Sequence, residues 1–191
     1  MSTALAADGY GLAEVTDIAP DTLAQFSCGK AHLDHFLTDR AGFMHQEHLA
    51  TVWVVLHRDL SYPAGYFTLH NDSLELMGSE ETSLGLRDNA ELKRFPAIVI
   101  GRLAVDFRLQ GTGVSDVVMQ LTLSLIQNSV TTRVSAARLI VVDADNEPKV
   151  LHFYQRNGFE ISLWADKQAR HQGGKHSSRA TVKMLRDILS T

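Results

Sequence analysis

The sequence predicts an α/β fold: one domain built on a mixed central sheet with helices on both faces. Three observations predict it. The run Ile98-Val-Ile-Gly-Arg-Leu-Ala-Val-Asp106 has the β-branched and aliphatic composition of a buried strand. Gln110-Gly-Thr-Gly-Val-Ser-Asp116 follows as a glycine-rich turn, after which Val114, Val117, Val118, Leu121 and Leu125 fall at helical spacing. A second apolar strand, residues 137–143, comes one helix later. Strands alternating with helices in this way require a sheet covered by helices.

The remaining elements follow in order. Residues 10–18 read as a first strand, stopped by Pro20. Phe26-Ser-Cys-Gly-Lys30 is a turn, and 31–48 a helix with Leu33, Phe36, Leu37 and Met44 on its buried face. Residues 50–58 and 63–76 form a strand pair. The polar stretch 78–94, acidic at Glu80 and Glu81, reads as an insertion or mobile loop with a helical turn at 91–95. The central strand, the glycine loop and a helix to about 128 come next. Residues 146–157 form a short helix closed by Gly158, 159–164 a strand, 166–178 a flexible loop, and 179–185 the last strand.

Composition narrows the function classes. At 191 residues, 45% hydrophobic and 21% charged, the chain suits one compact globular domain spanning 1–191. Nothing approaches the ~18 consecutive apolar residues of a membrane span, and the N-terminus lacks a basic, then apolar, export signal. A cytoplasmic protein with no membrane partner is expected. The single cysteine, Cys28, excludes an intrachain disulfide and a multi-cysteine zinc site. His45-x-x-His48 lacks a third ligand, so no metal is expected. Cys28 as an acyl relay has only Lys30 as a basic neighbour in sequence.

The net charge of −4 hides an asymmetry: residues 167–186 carry six basic groups and no acid, leaving 12 basic against 22 acidic residues elsewhere. Such a segment is either a solvated loop and edge strand or a local footprint for a polyanion. The acidic remainder argues against a general nucleic-acid binder.

The glycine loop is where chemistry enters. A helix entered through small residues leaves its first N–H groups unpaired at the positive end of the macrodipole, which makes an anion site. It is not a dinucleotide fingerprint, because the third glycine of G-x-G-x-x-G is missing and Asp116 stands there, and no Gly-Lys-Ser/Thr of a P-loop follows.

Three stretches together are more specific than the loop. They are Leu103-Ala-Val-Asp106 leading into Gln110-Gly-Thr-Gly-Val-Ser115, then Val141-Val-Asp-Ala-Asp-Asn146, then Phe153-Tyr-Gln-Arg-Asn-Gly-Phe159. Over residues 98–161 they resemble the GNAT superfamily of acetyl-CoA-dependent N-acetyltransferases, whose loop is Gln/Arg-x-x-Gly-x-Gly/Ala. Gln110, Gly113 and Ser115 take those positions, Ser115 departing from the usual Gly or Ala. The resemblance implies a sheet splayed between two parallel strands and acetyl-CoA as co-substrate. It implies coenzyme contacts at Leu103, Ala104, Val105, Gln110, Gly111, Thr112, Gly113, Val114 and Ser115. Asn146 matches a pantetheine-bonding asparagine of the family, or else caps the helix it precedes.

The resemblance also places the family's acid at Tyr154, a phenol protonated at neutral pH and able to protonate the departing thiolate. Packing against the sheet is its plain alternative. For the amine's proton the sequence offers His70, Glu75 or a chain of waters, with water as the default. The expected function is N-acetylation of a small-molecule or protein amine by direct attack. A narrower resemblance rests on Phe26-Ser-Cys-Gly-Lys, on Leu33-Asp-x-Phe-Leu37 with Ala41, and on Ile100-Gly-Arg-Leu-Ala-Val-Asp106. These are similar to GNAT toxins of bacterial toxin–antitoxin pairs, and imply the alternative: acetylation of aminoacyl-tRNA, restrained by a ribbon–helix–helix antitoxin. Lys93, Arg94 and the basic segment are then candidate RNA contacts. A homodimer through the C-terminal strand region is a family habit carried over. A non-catalytic acyl-CoA-binding module is the remaining alternative, since a fold does not fix a function.

Overall fold

The computed structural model describes residues 9–86, 92–134, 136–171 and 179–190, which form two compact units. The first comprises Met1–His70 with Ile100–Asn128, the second Asn71–Val99 with Ser129–Thr191.

In the first unit, strand β1 (Tyr10–Glu14) pairs antiparallel with β2 (Thr51–His57), and β2 antiparallel with β3 (Gly65–Leu74). Beside β3 lies β4 (Phe95–Val105). The two-residue strand period sorts side chains by face. Val52 and Val54 face a core made with Leu23, Phe26, Phe36 and Leu37, from α1 (Pro20–Leu23), α2 (Ala31–His35) and the connections around them. Trp53 and Val55 face the opposite core, with Phe67, Val105 and Val114, Val118 and Leu121 of α5 (Val114–Thr131). Apart from Trp53, which is only partly buried, each of these buried side chains stabilises the fold by about 1.5–3 kcal/mol in area terms.

The helix expected over 31–48 is interrupted. A π turn, Phe36–Arg40, separates α2 from α3 (Ala41–Gln46). The first strand is also shorter than expected, giving way at Val15 to a 3₁₀ turn whose Val15 side chain is buried.

In the second unit the strand order is β4, β5 (Leu139–Asp145), β7 (Thr181–Asp187), β6 (Glu160–Ile161), with β4 and β5 parallel and the rest antiparallel. Leu74, Phe95, Val99, Leu139, Val141 and Leu185 form its core. Arg138 grips Asp187 with two hydrogen bonds, 2.8 and 2.9 Å, and also donates to the Leu84 carbonyl. Gly158 closes α6 (Pro148–Arg156) at φ +81°, as its sequence position predicts.

Two stretches read as loops are helical. Residues 78–94 begin with α4 (Gly78–Ser83), and the expected loop 166–178 is helix as far as His171, in α7 (Leu163–His171). Leu92 to Arg94 form no helical turn; 87–91 and 172–178 lie outside the described residues. Glu80 explains the order. It is 7% exposed, and its carboxylate accepts the N–H groups of Met77, Leu163 and Trp164 at 2.7, 2.8 and 3.2 Å. One acid therefore caps its own helix and supplies acceptors to the unpaired first turn of α7. Glu80→Ala is expected to lower stability by about 1–3 kcal/mol, because three part-buried N–H groups lose their acceptor; urea unfolding of both proteins measures it.

Candidate active site

The glycine loop lies in the first unit and follows the end of β4. β4 stops at Asp106, whose backbone N–H bonds the Ala64 carbonyl at 3.0 Å. Asp106 has no exposed surface, and four donors converge on it: the Ser27 N–H (3.1 Å), the Arg108 N–H (3.0 Å) and the Arg108 side chain at 2.7 Å through both Nε and Nη2. Burial opposes its ionisation, but these bonds hold its carboxyl below the ordinary carboxylate range. From this clamp the 3₁₀ turn Phe107–Leu109 leads into the loop.

Gly111 and Gly113 sit at φ +80° and +91°, a region costly for other residues, and a side chain at either would meet nothing within 4 Å. The helix ladder of α5 begins when Asp116 donates to the Gly113 carbonyl at 3.0 Å. Among the described residues, no carbonyl takes up the N–H groups of Gly111, Gly113, Val114 or Ser115. Four backbone donors on an open loop at the start of an 18-residue helix suit a pyrophosphate. The Thr112 hydroxyl instead donates to the Leu109 carbonyl at 2.6 Å.

Side chains expected to touch the coenzyme have other duties here. Gln110 Nε2 donates to the carbonyls of Cys28 (3.0 Å) and Val105 (3.2 Å), so it ties the loop to the chain rather than facing outward. Val114 and Val105 are buried in the core with Leu103 beside them, and Ala104 packs on the opposite face. Only their backbone is left for the coenzyme contact expected of them.

Neighbouring nucleophile and base candidates resolve as follows. Burial, then the Asp34 carboxylate, push the Cys28 thiol up to about 11, so it is no thiolate at neutral pH. His45 accepts the Val52 N–H at 3.1 Å and stands 3.4 Å from the Glu14 carboxylate, a fold contact. Glu75, in the second unit, pairs with Arg94 at 3.4 Å. His70 is exposed near the middle of β3, its ring 3.2 Å from where a side chain on Gly101 would stand.

Tyr154, the acid expected from the sequence, lies in the second unit. Tyr154 is 9% exposed on α6, its ring held edge-on by Phe153 and Phe159 at 5.2 and 5.4 Å. Burial, then the Asp145 charge, raise its pKa to about 12. No described residue hydrogen-bonds its hydroxyl. Asn146 is not the helix cap: Glu147 occupies that position, with Pro148 opening α6. The Asn146 amide donates to the Arg179 carbonyl at 3.1 Å.

Several basic side chains of the segment have partners within the protein. Arg170 and Arg179 both pair with Asp166 at 2.7 Å, Lys183 with Asp143 at 2.9 Å, and Arg186 donates to the Asn157 carbonyl at 2.6 Å. Arg94 likewise bonds Ser73. Charge counts along a sequence do not reveal such pairing. Among the described residues no group of three or more His, Cys, Asp or Glu is placed to hold a metal, and no helix is long and apolar enough to cross a membrane.

No protein-family model and no curated protein matches the chain. Solved structures do. The chain is similar to AtaT complexed with acetyl-methionyl-tRNAfMet, with 21% identity and a TM-score of 0.70 over 93% of this chain and 94% of that one. A Tyr-to-Phe mutant of the toxin AtaT, bound to acetyl-CoA and the C-terminus of the antitoxin AtaR, gives 19% and 0.65 over 95% and 94%. A Tyr-to-Phe mutant of KacT gives 18% and 0.71 over 95% and 96%.

Proposed function

We propose that this chain, which has the GNAT fold of those toxins, is an acetyl-CoA-dependent N-acetyltransferase whose acceptor is the amino group of an aminoacyl-tRNA. Its two units would act as a single N-acetyltransferase domain over 1–191. The observation that carries the reading is the extent of the likeness to AtaT in complex with an acetylated aminoacyl-tRNA: 93% of this chain, and not only the coenzyme-binding core. This favours the toxin alternative over the broader small-amine expectation. The antitoxin seen with AtaT supports an antitoxin partner here; its ribbon–helix–helix class and a homodimer remain part of the proposal.

The loop fits the coenzyme, since the N–H groups of Gly111, Gly113, Val114 and Ser115 are available and no side chain fills the space before Gly111 and Gly113. The backbone of Leu103, Ala104 and Val105 would pair with the pantetheine amides as an added strand, and Asn146 would stand beside it. Acetyl-CoA supplies an activated acetyl thioester. His70 or water takes the proton of the acceptor amine, whose nitrogen then attacks the thioester carbonyl. As the C–S bond breaks, the Tyr154 hydroxyl gives its proton to the sulfur and regains one from solvent. Its high pKa keeps that proton in place at every physiological pH. This role for Tyr154 argues against a non-catalytic module.

The internal pairing of Arg170, Arg179, Lys183 and Arg186 supports a second reading, in which the acceptor is a small-molecule or protein amine. Induction of the wild-type and Tyr154→Phe proteins in a bacterium separates the two. Growth arrest with wild type alone, with acetylated aminoacyl-tRNA in the extract, is expected. Normal growth with both, and no such product, would overturn the tRNA reading in favour of a small-molecule or protein amine.

A further inference from the structure

In the first unit two arginines lie over aromatic rings, and they differ in one respect. Arg108 stacks on Tyr62 at 3.4 Å and also has the Asp106 carboxylate. Arg102, on β4, stacks on Phe36 at 3.8 Å and is partly buried, yet no described carboxylate or carbonyl takes up its N–H groups. Phe36 is itself 5% exposed and braced by Tyr66, with ring centroids 6.1 Å apart. Removing a guanidinium from water without giving it an anion costs free energy, which a reserved ligand site would recover. Stacking covers the face of the group and leaves its in-plane donors for a planar or tetrahedral oxyanion.

The residue before it strengthens the case. Gly101 is exposed, and a side chain there would meet Thr68 Oγ1 at 3.1 Å and the His70 ring at 3.2 Å. Thr68 is 1% exposed. So Thr68 and His70 line a position kept free of a side chain, next in sequence to Arg102.

We propose that Arg102, braced on Phe36, binds a backbone phosphate of the amine acceptor and so anchors the end of the RNA that carries the amino acid. The inference rests on the aminoacyl-tRNA reading. The carboxylate of an aminoacyl ester is esterified, so phosphates are the anions such an acceptor offers.

The test compares two acceptors with the same amine, methionyl-tRNA and methionine amide, at saturating acetyl-CoA. Arg102→Gln is expected to raise KM for the charged tRNA about tenfold or more with little change in kcat, and to leave methionine amide kinetics unaltered. Its salt dependence with the tRNA should also flatten, by about 0.7 in log–log slope for one lost single-strand contact. Arg102→Lys, which keeps the charge, should restore part of the affinity and serves if Arg102→Gln does not fold. Equal losses on both acceptors would make Arg102 a brace of the fold and overturn the inference, as would no loss on either. A wild-type enzyme that acetylates methionine amide but not the charged tRNA would sink the functional reading and this inference together. A wild-type enzyme active on tRNA, with Arg102→Gln equally active, would sink the inference alone.

Discussion

Tyr154→Phe is expected to lower turnover by about 10²–10³-fold, the usual worth of a positioned general acid. The substitution is clean because the ring contributes the packing and the hydroxyl does not. Phe153 and Phe159 meet the ring edge-on, and a phenylalanine keeps both contacts. The hydroxyl has no described partner to lose, so stability should move by less than about 1 kcal/mol. Acetyl-CoA affinity, measured by calorimetry, should be nearly unchanged, because the proposed pyrophosphate donors are the backbone N–H groups of Gly111, Gly113, Val114 and Ser115. The pH profile adds a second check. With its pKa raised to about 12, Tyr154 stays protonated throughout the accessible range, so the rate ratio between wild type and variant should be constant from pH 6 to 9. The rise in rate across that range belongs to the acceptor, whose α-amino group titrates near ~8. A ratio that changes with pH, or an unaltered turnover, would remove Tyr154 from the acid's role.

How far the sequence discloses this arrangement depends on the range of the contacts. The strand at β4, the glycine loop, the helix after it and the Gly158 cap are local, each written in consecutive residues, and they stand where composition and periodicity put them. Glu80 is different. Its partners Leu163 and Trp164 lie 83 and 84 residues away, and a polar, acidic stretch in isolation reads as a loop. The same applies to α7: a helix with an exposed, charged surface and a Gly173-Gly174 sequence after it looks like a flexible segment until Glu80 and Arg179 hold its start. The π turn at Phe36–Arg40 inserts a residue into a helical pattern without breaking its hydrophobic face, so periodicity passes over it. Gln110 shows the limit of motif reading. The motif marks the position correctly as belonging to the loop, but only the fold shows that its amide is used on the Cys28 and Val105 carbonyls. Arg102 sits inside a strand motif and carries no signal of its own; its stack on Phe36 and its lack of a counter-charge are tertiary facts.

Asp106 carries the largest expected stability effect. Asp106→Asn replaces one acceptor oxygen by an amide that can only donate, and every group around that carboxylate is a donor: Ser27 N–H, Arg108 N–H, Nε and Nη2. Whichever way the amide turns, a buried donor faces a donor, and Arg108 loses its anion. Breaking a buried pair from one side costs about 3–5 kcal/mol, and the partial exposure of Arg108 places this case near the lower figure. The effect reaches the coenzyme loop because Asp106 ends β4 and caps the turn from which Gln110 departs. Acetyl-CoA affinity should therefore fall along with the unfolding midpoint, unlike in Tyr154→Phe. The sign of the pH dependence follows from the depressed pKa. Stability from the ionised Asp106 is fully present above the unfolded value near ~4 and is lost as pH falls through the lower folded value. Wild-type stability should thus decline on acidification below about pH 4 more steeply than that of Asp106→Asn, the two curves converging. Curves that stay parallel through that window would mean the carboxylate is not held ionised by Arg108 and Ser27, and that the loop is set by some other contact.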